Sequence, residues 1–224
     1  SKDPAKPLYN RALRGQYPPG STVKPFIGLG GLERGVISFD STTYCPGFYQ
    51  LPGHSHRYRD WKKTGHGSMD IDQAIAQSCD VYFYDMAREM GVDALNDYLA
   101  EFGFGRRTGI DLIGELPGLL PSRDWKRRAK RLPWYPGETL IMGIGQGYFL
   151  TTPLQLATST AALANGGLLL EPRLVSSVKT NEDGRIQPLS STPRTIPMVS
   201  ALNWEDIRRS MVHVVDGARG TAVR

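Results

Sequence analysis

The 224-residue sequence has no apolar run near the roughly eighteen residues that a membrane-crossing helix needs, and no signal-like segment opens it. Any anchor or leader is therefore expected outside Ser1 to Arg224. Cysteine is nearly missing: Cys45 and Cys79 cannot make a disulfide framework, and one bridge, two free thiols or two metal ligands stay open. There is no internal repeat, no low-complexity tract and no strong excess of one charge. Twenty-seven basic against 22 acidic side chains leave +5, which does not by itself signal nucleic acid. With 40% apolar and 22% charged residues, disorder is excluded for most of the chain, and there is enough for one substantial domain or two small ones.

Local signals place the elements. Residues 1–20 read as an extended lead-in ending in the turn Pro18-Pro19-Gly20. A helix then starts at Ser21, tolerating Pro25 in its first turn, with Gly28, Gly30 and Gly31 suggesting close packing. Ile37 to Met69 is loop-rich, holds three of the four histidines, and is long enough to need a staple or a function. Asp70 to Met90 returns to helix, and Asp93 to Phe102 forms another, stopped by Gly103. Arg106 to Pro136 reads as irregular, with a short strand over Ile110 to Ile113 and a basic patch from Arg123 to Arg131 that reads first as a solvated loop and second as a contact for an acidic or anionic surface. Thr152-Pro153 opens a helix that Asn165-Gly166-Gly167 closes. Leu168 to Thr180 and Arg185 to Leu189 flank the turn Asn181-Glu182-Asp183-Gly184 as a hairpin, and Asn203 caps a last helix running to Gly217. Helices early and strands late predict an α+β fold.

Ser21-x-x-Lys24 at the mouth of a helix is the sharpest chemical feature. Residues three apart share a helix face, so a buried amine with lowered pKa can take the serine proton, and unpaired helix N–H groups lie near the developing oxyanion. The spacing alone recurs by chance in most proteins of this size. Its frame, Tyr17-Pro18-Pro19-Gly20-Ser21-Thr22-Val23-Lys24-Pro25, does not. That frame resembles the active-site serine motif of penicillin-binding proteins, whose signature adds a Ser-x-Asn box and a Lys-Thr-Gly strand. Ser78-Cys79-Asp80 stands where the second box belongs, with Asp80 in place of the asparagine, as in the penicillin-binding protein 2 group of class B. Asp60-Trp61, Gly65-His66-Gly67, Tyr82-Phe83-Tyr84 and Gly143-Ile144-Gly145-Gln146-Gly147 leading to Thr152-Pro153 extend the resemblance over nearly the whole chain.

Lys63-Thr64-Gly65 spells the third box but precedes Ser78 in a Gly- and His-rich loop, so it reads as a decoy; the true strand is expected beyond Gly220-Thr221-Ala222. The chain is thus expected to be residues 1–224 of an incomplete transpeptidase domain, without N-terminal anchor or pedestal, and with part of its antiparallel sheet missing. Gly143 to Gly147 lacks the endings of a phosphate or dinucleotide loop and is assigned to packing.

Cys45, Asp60, His66 and Cys79 supply two thiolates, a carboxylate and an imidazole, a set suited to tetrahedral zinc, though no Cys-x-x-Cys knuckle supports it. Some members of the resembled group look like metal binders here; a Cys45–Cys79 disulfide and free thiols remain alternatives, and His54 and His56 are alternative ligands. Such an ion would be structural. Trp61, Trp125, Trp134 and Trp204 read as core or cleft-wall residues.

The resemblance implies a serine D,D-transpeptidase of the cell-elongation type that needs no catalytic cofactor. Ser21 would be its nucleophile, Lys24 its base, Ser78 the proton relay and Asp80 a further site residue. It implies peptidoglycan stem peptides and β-lactams as ligands, a membrane glycosyltransferase of the RodA type as partner, no nucleic acid, and a periplasmic domain anchored in the inner membrane. A serine β-lactamase or β-lactam sensor, and a non-catalytic penicillin-binding scaffold, are the alternatives.

Overall fold

The computed structural model describes residues 8–180 and 185–223. The lead-in before Leu8, the predicted turn Asn181 to Gly184, and Arg224 lie outside the described residues.

A short helix α1 (Arg11–Arg14) precedes a single 3-10 turn over Gly20–Val23, which runs directly into α2 (Lys24–Glu33). Every residue of α2 from Lys24 to Leu32 is buried, so this is a central helix apolar all round rather than an amphipathic surface one. Its glycines let neighbours approach: a Cβ on Gly28 would meet Ile71, on Gly30 Tyr98, and on Gly31 Met86. The close packing suggested by their spacing is there.

The loop-rich stretch after α2 is held by two short antiparallel ladders. β1 (Thr43–Cys45) pairs with β4 (Gly67–Met69), and β2 (Phe48–Gln50) pairs with β3 (Arg57–Arg59). α3 (Ile71–Ala76) follows, its N-cap Asp70 accepting from the Gln73 N–H at 2.8 Å. α4 (Asp80–Glu101) is interrupted at Gly91, which sits at φ 75° and ψ 159°, so the helix expected from Asp93 is its second limb.

The basic stretch expected as a solvated loop is instead helix α5 (Arg123–Lys130). The Ser122 hydroxyl accepts from the Trp125 N–H, Asp124 sits in the first turn, and cations fill the last turn, as the helix dipole favours. Six basic side chains between Arg123 and Arg131 hide any apolar period. No strand forms at Ile110 to Ile113; the backbone turns there, and the Glu115 carboxylate takes the N–H groups of Thr108 and Gly109. A further unforeseen helix, α6 (Pro136–Met142), begins on proline and ends before Gly143.

α7 (Pro153–Ala164) matches its sequence caps, with the Thr152 hydroxyl accepting from the Gln155 N–H at 3.1 Å. Beyond it β5 (Leu168–Leu169) pairs with β8 (Arg194–Thr195), and β6 (Ser177–Lys179) pairs with β7 (Ile186–Pro188), a shorter version of the expected hairpin. The last helix, α8 (Ala201–Asp216), starts earlier than Asn203. The Glu33 carboxylate explains this: it accepts from the Ser200 N–H and from Asn203 Nδ2, so the end of α2 caps the entry to α8. Among the described residues the strands form four separate two-stranded antiparallel ladders, in keeping with the expected α+β fold of helices and small antiparallel sheets.

One core joins these parts. Phe26 of α2 packs edge-on against Phe102 and Phe104, and Phe102 stacks on Trp204 of α8 with centroids 5.7 Å apart. Trp204 is 1% exposed and also contacts Gly167, so it ties α8 to both α4 and the end of α7. Trp204→Ala should therefore lower unfolding stability by about 3–5 kcal/mol. Urea unfolding checks this; a loss under about 1 kcal/mol would mean that α8 is not part of the core.

Candidate active site

Lys24 is the first residue of α2, and its side chain is almost wholly out of water at 1% exposure. Its Nζ donates to the Ser78 carbonyl at 2.8 Å, to Ser78 Oγ at 3.1 Å and to Asp80 Oδ1 at 2.7 Å. Burial pushes the Lys24 ammonium below its ordinary value, and the Asp80 carboxylate opposes that without cancelling it. An amine so placed can give up its proton more readily than a surface lysine. Ser21, one helical turn earlier, is exposed. It lines a cavity of about 410 Å³ with Lys24 and Ser78, walled on the far side by Met211, Val214 and Val215 of α8. The sequence-predicted serine, lysine and second box thus converge on one cavity.

The turn carrying Ser21 is fixed from beneath. The Gly20 N–H donates to the Gly145 carbonyl at 2.8 Å, and Gly145 has φ 70°. A Cβ there would fall 2.2 Å from the Gly20 carbonyl oxygen, so the glycine-rich segment is a packing surface for the serine turn.

Ser78 occupies a strained backbone. Helix α3 ends in a Schellman arrangement: the Ser78 N–H donates to the Ile75 carbonyl and the Cys79 N–H to the Ala74 carbonyl. Ser78 takes the left-handed position of that motif at φ 54°, where glycine is usual. That conformation leaves the Ser78 hydroxyl 3.1 Å from Lys24 Nζ.

Asp60 links the stapled loop to this box. Its Oδ2 accepts from the N–H groups of Asp80 at 2.8 Å and Val81 at 3.2 Å, capping α4 from another part of the chain. The same oxygen lies 3.5 Å from both Cys45 Sγ and Cys79 Sγ, while His66 Nδ1 is 3.4 Å from Asp60 Oδ1 and 3.6 Å from Cys45 Sγ. The four donor atoms lie within 4.8 Å of one another. Both cysteines are free thiols, and burial pushes the Cys79 thiol up. Burial lowers the His66 imidazole, against the nearby Asp60 carboxylate, so the ring favours its neutral form. His66 Nε2 is buried without a hydrogen-bond partner among the described residues. His54 and His56 are exposed in the segment between β2 and β3 and are not part of the cluster.

Trp61, read from sequence as core or wall, is 58% exposed and acts as a strap. Its backbone N–H donates to Asp80 Oδ2 at 3.2 Å, and its indole N–H reaches the Gln77 and Ser78 carbonyls at 3.1 Å. No periodicity could reveal this contact, because it joins a loop to a helix end seventeen residues away. Lys63-Thr64-Gly65 lies in a turn, with Gly65 against the Cys45 carbonyl, and lines no part of the Ser21 cavity.

Residues 1–224 match the family described as the penicillin binding protein transpeptidase domain. The chain belongs to that family. It is 43% identical to the peptidoglycan D,D-transpeptidase MrdA of Haemophilus influenzae, over 98% of this chain and 34% of the relative. It is 42% identical to the MrdA of Escherichia coli K12, over 98% of this chain and 35% of the relative. It therefore spans about a third of the length of these curated relatives. Among solved structures, PBP2 of Pseudomonas aeruginosa in complex with WCK 5153 is 47% identical with a TM-score of 0.91, covering 99% of this chain and 49% of that one. PBP2 of Helicobacter pylori in complex with MreC is 36% identical with a TM-score of 0.83, covering 99% and 39%. The chain is thus of the PBP2/MrdA type and has the penicillin-binding transpeptidase fold.

The strain at Ser78 is testable. Ser78→Gly and Ser78→Ala both remove the hydroxyl, but only glycine relieves the left-handed backbone, so the glycine variant should unfold at the higher temperature, by the equivalent of about 1 kcal/mol. Equal stability of the two would show that the position is unstrained.

Proposed function

We propose that this chain supplies the acyl-transfer centre of a peptidoglycan D,D-transpeptidase of the elongation type, acting through a Ser21 acyl-enzyme. The observation that carries the reading is the buried Lys24 amine, bonded to both Ser78 and Asp80 and facing the cavity that Ser21 enters. In this reading Lys24 gives its extra proton to its surroundings and, once neutral, takes the Ser21 hydroxyl proton. Ser21 attacks the penultimate D-Ala carbonyl of a stem peptide ending in D-Ala-D-Ala. Backbone N–H groups at the open end of the 3-10 turn stabilise the oxyanion, and Ser78 Oγ carries the proton to the departing D-Ala. An amine from a neighbouring stem then takes the acyl group and forms the cross-link. A β-lactam offers the same carbonyl within a ring that does not leave, so it stays attached to Ser21.

Similar proteins support the ligand and partner classes. The Pseudomonas PBP2 structure is a complex with WCK 5153, the Helicobacter one a complex with MreC, and a further similar chain, 34% identical, belongs to a peptidoglycan synthase complex of polymerization and crosslinking. On that support we propose for this protein a β-lactam ligand, a partner of the MreC kind and a membrane glycosyltransferase of the RodA type. No helix among the described residues is long and apolar enough to cross a membrane. The proposed peptidoglycan substrate supports a periplasmic setting.

Intact mass spectrometry with a fluorescent penicillin tests the reading. On the protein extended past Arg224, one adduct mapping to Ser21 is expected, lost in Ser21→Ala and in Lys24→Ala with folding retained. Labelling that survives in Ser21→Ala would refute the nucleophile.

The cluster of Cys45, Asp60, His66 and Cys79 fits a structural metal ion, and the donor softness points to zinc. Four donor atoms of these types within 4.8 Å of one another, beside an imidazole that favours its neutral form, support that reading. The ion would pin the stapled loop to Cys79, next to Ser78, and takes no part in the acyl transfer. Elemental analysis of the dialysed protein should find about one zinc per chain, lost in Cys79→Ser with a fall in melting temperature. A metal-free protein two daltons light would instead establish a disulfide.

A further inference from the structure

The most elaborate surface outside the Ser21 cavity is an aromatic groove of about 650 Å³ between α6 and the β2–β3 hairpin. Tyr58, Trp134, Tyr135 and Tyr148 line it, with His54, Glu138 and Gln146 as polar groups. The rings are held in place rather than merely exposed. Trp134 Nε1 donates to Thr139 Oγ1 at 2.8 Å, and Tyr148 packs on Trp125 with centroids 5.0 Å apart. Tyr58 is fitted so closely to Gly137 that a Cβ there would meet its hydroxyl at 2.0 Å.

Beneath them Lys126 is 1% exposed, ion-paired to Glu138, with its Nζ 4.2 Å from the centre of the Tyr135 ring and 6.0 Å and 5.9 Å from those of Trp134 and Tyr148. Taking a lysine and a carboxylate out of water is costly, and an apolar filling would usually be at least as stable. What the pair achieves here is geometric: one cation fixes three rings by cation–π attraction while Tyr135 stays 51% exposed. A second cavity, of about 550 Å³, shares Trp134 and is lined by Arg123, Arg127 and Arg131 of the basic helix α5 and its cap. At the other end, Gln146 and Gly147 follow directly on Gly145, which holds the turn of Ser21.

We infer that this groove is a subsite for the glycan strand of peptidoglycan, with the arginine-lined cavity receiving the carboxylates of its stem peptides. The inference rests on the transpeptidase reading for its substrate class and goes beyond it in assigning a second binding site. Pyranose rings present apolar C–H faces that stack on aromatic rings, and their hydroxyl and acetamido groups need hydrogen-bonding partners at the edge, as Glu138, Gln146 and His54 provide. Peptidoglycan alternates such sugars with anionic peptides, and the surface alternates rings with arginines in the same way. Binding the strand here would hold its stems beside the wall that positions Ser21, raising their local concentration at the nucleophile.

The test is calorimetric titration of the purified protein with a soluble, uncrosslinked peptidoglycan tetrasaccharide bearing tetrapeptide stems, and with the same glycan stripped of its peptides. Both should bind. Tyr135→Ala should weaken both by about ten-fold, Tyr135→Phe should restore them, and Arg127→Glu should weaken only the stem-bearing form. Penicillin acylation of Ser21 should be unchanged in Tyr135→Ala, so a failed acyl-transfer reading shows separately, as absent labelling in every protein. No glycan binding, or equal binding by Tyr135→Ala, overturns the subsite. Binding of phosphatidylglycerol vesicles that is lost in Arg127→Glu, without glycan binding, would assign the face to a membrane surface and overturn it as well.

Discussion

A lysine at 1% exposure has to place its N–H donors on protein acceptors, and Lys24 places them on Ser78 and Asp80. Much of the architecture serves that requirement. α2 must be buried on every side to carry Lys24 inward, which is why its glycines admit Ile71, Tyr98 and Met86 at close range. α3 must stop where it does, so that a left-handed Ser78 turns its carbonyl and hydroxyl toward the amine. α4 must begin at Asp80 for the carboxylate to arrive from the opposite side.

The stapled loop between β1 and β4 makes that convergence rigid. Asp60 caps α4 while facing both cysteines and His66, and Trp61 straps the Ser78 carbonyl and the Asp80 carboxylate in a single residue. Loss of order in this loop would free Asp80 to solvate, and the pull on the Lys24 proton would change with it. A metal at the cysteines would act on reactivity through this route, by keeping the box in register.

Chemistry was more legible in the sequence than shape. The resemblance singled out Ser21, Lys24 and Ser78-Cys79-Asp80 from their local frames, and Ser21, Lys24 and Ser78 do line one cavity, while the caps of α7 were legible because Thr152, Pro153 and the closing glycines act locally. α5 was missed because its helix is encoded by Ser122 and by charge order rather than by an apolar face, and α6 because Pro136 and Gly137 look like a turn until Glu138 caps them. The early start of α8 depends on Glu33, 167 residues before Ser200, and Trp61 and Gly145 likewise act through contacts that no local pattern records. Cys45, Asp60, His66 and Cys79 were singled out by donor chemistry alone; their convergence was not legible, since Cys45 and Cys79 are 34 positions apart and meet only because β1, β4 and the start of α4 meet.

The central claim is that burial, opposed by Asp80, sets the proton affinity of Lys24. Nitrogen-15 NMR titration of the Lys24 Nζ measures it directly, in the native protein and in Asp80→Asn. The account expects a midpoint below the ordinary lysine value of 10.5, falling further when the Asp80 charge is removed. A native midpoint at or above 10.5, or one that does not move in Asp80→Asn, would contradict it.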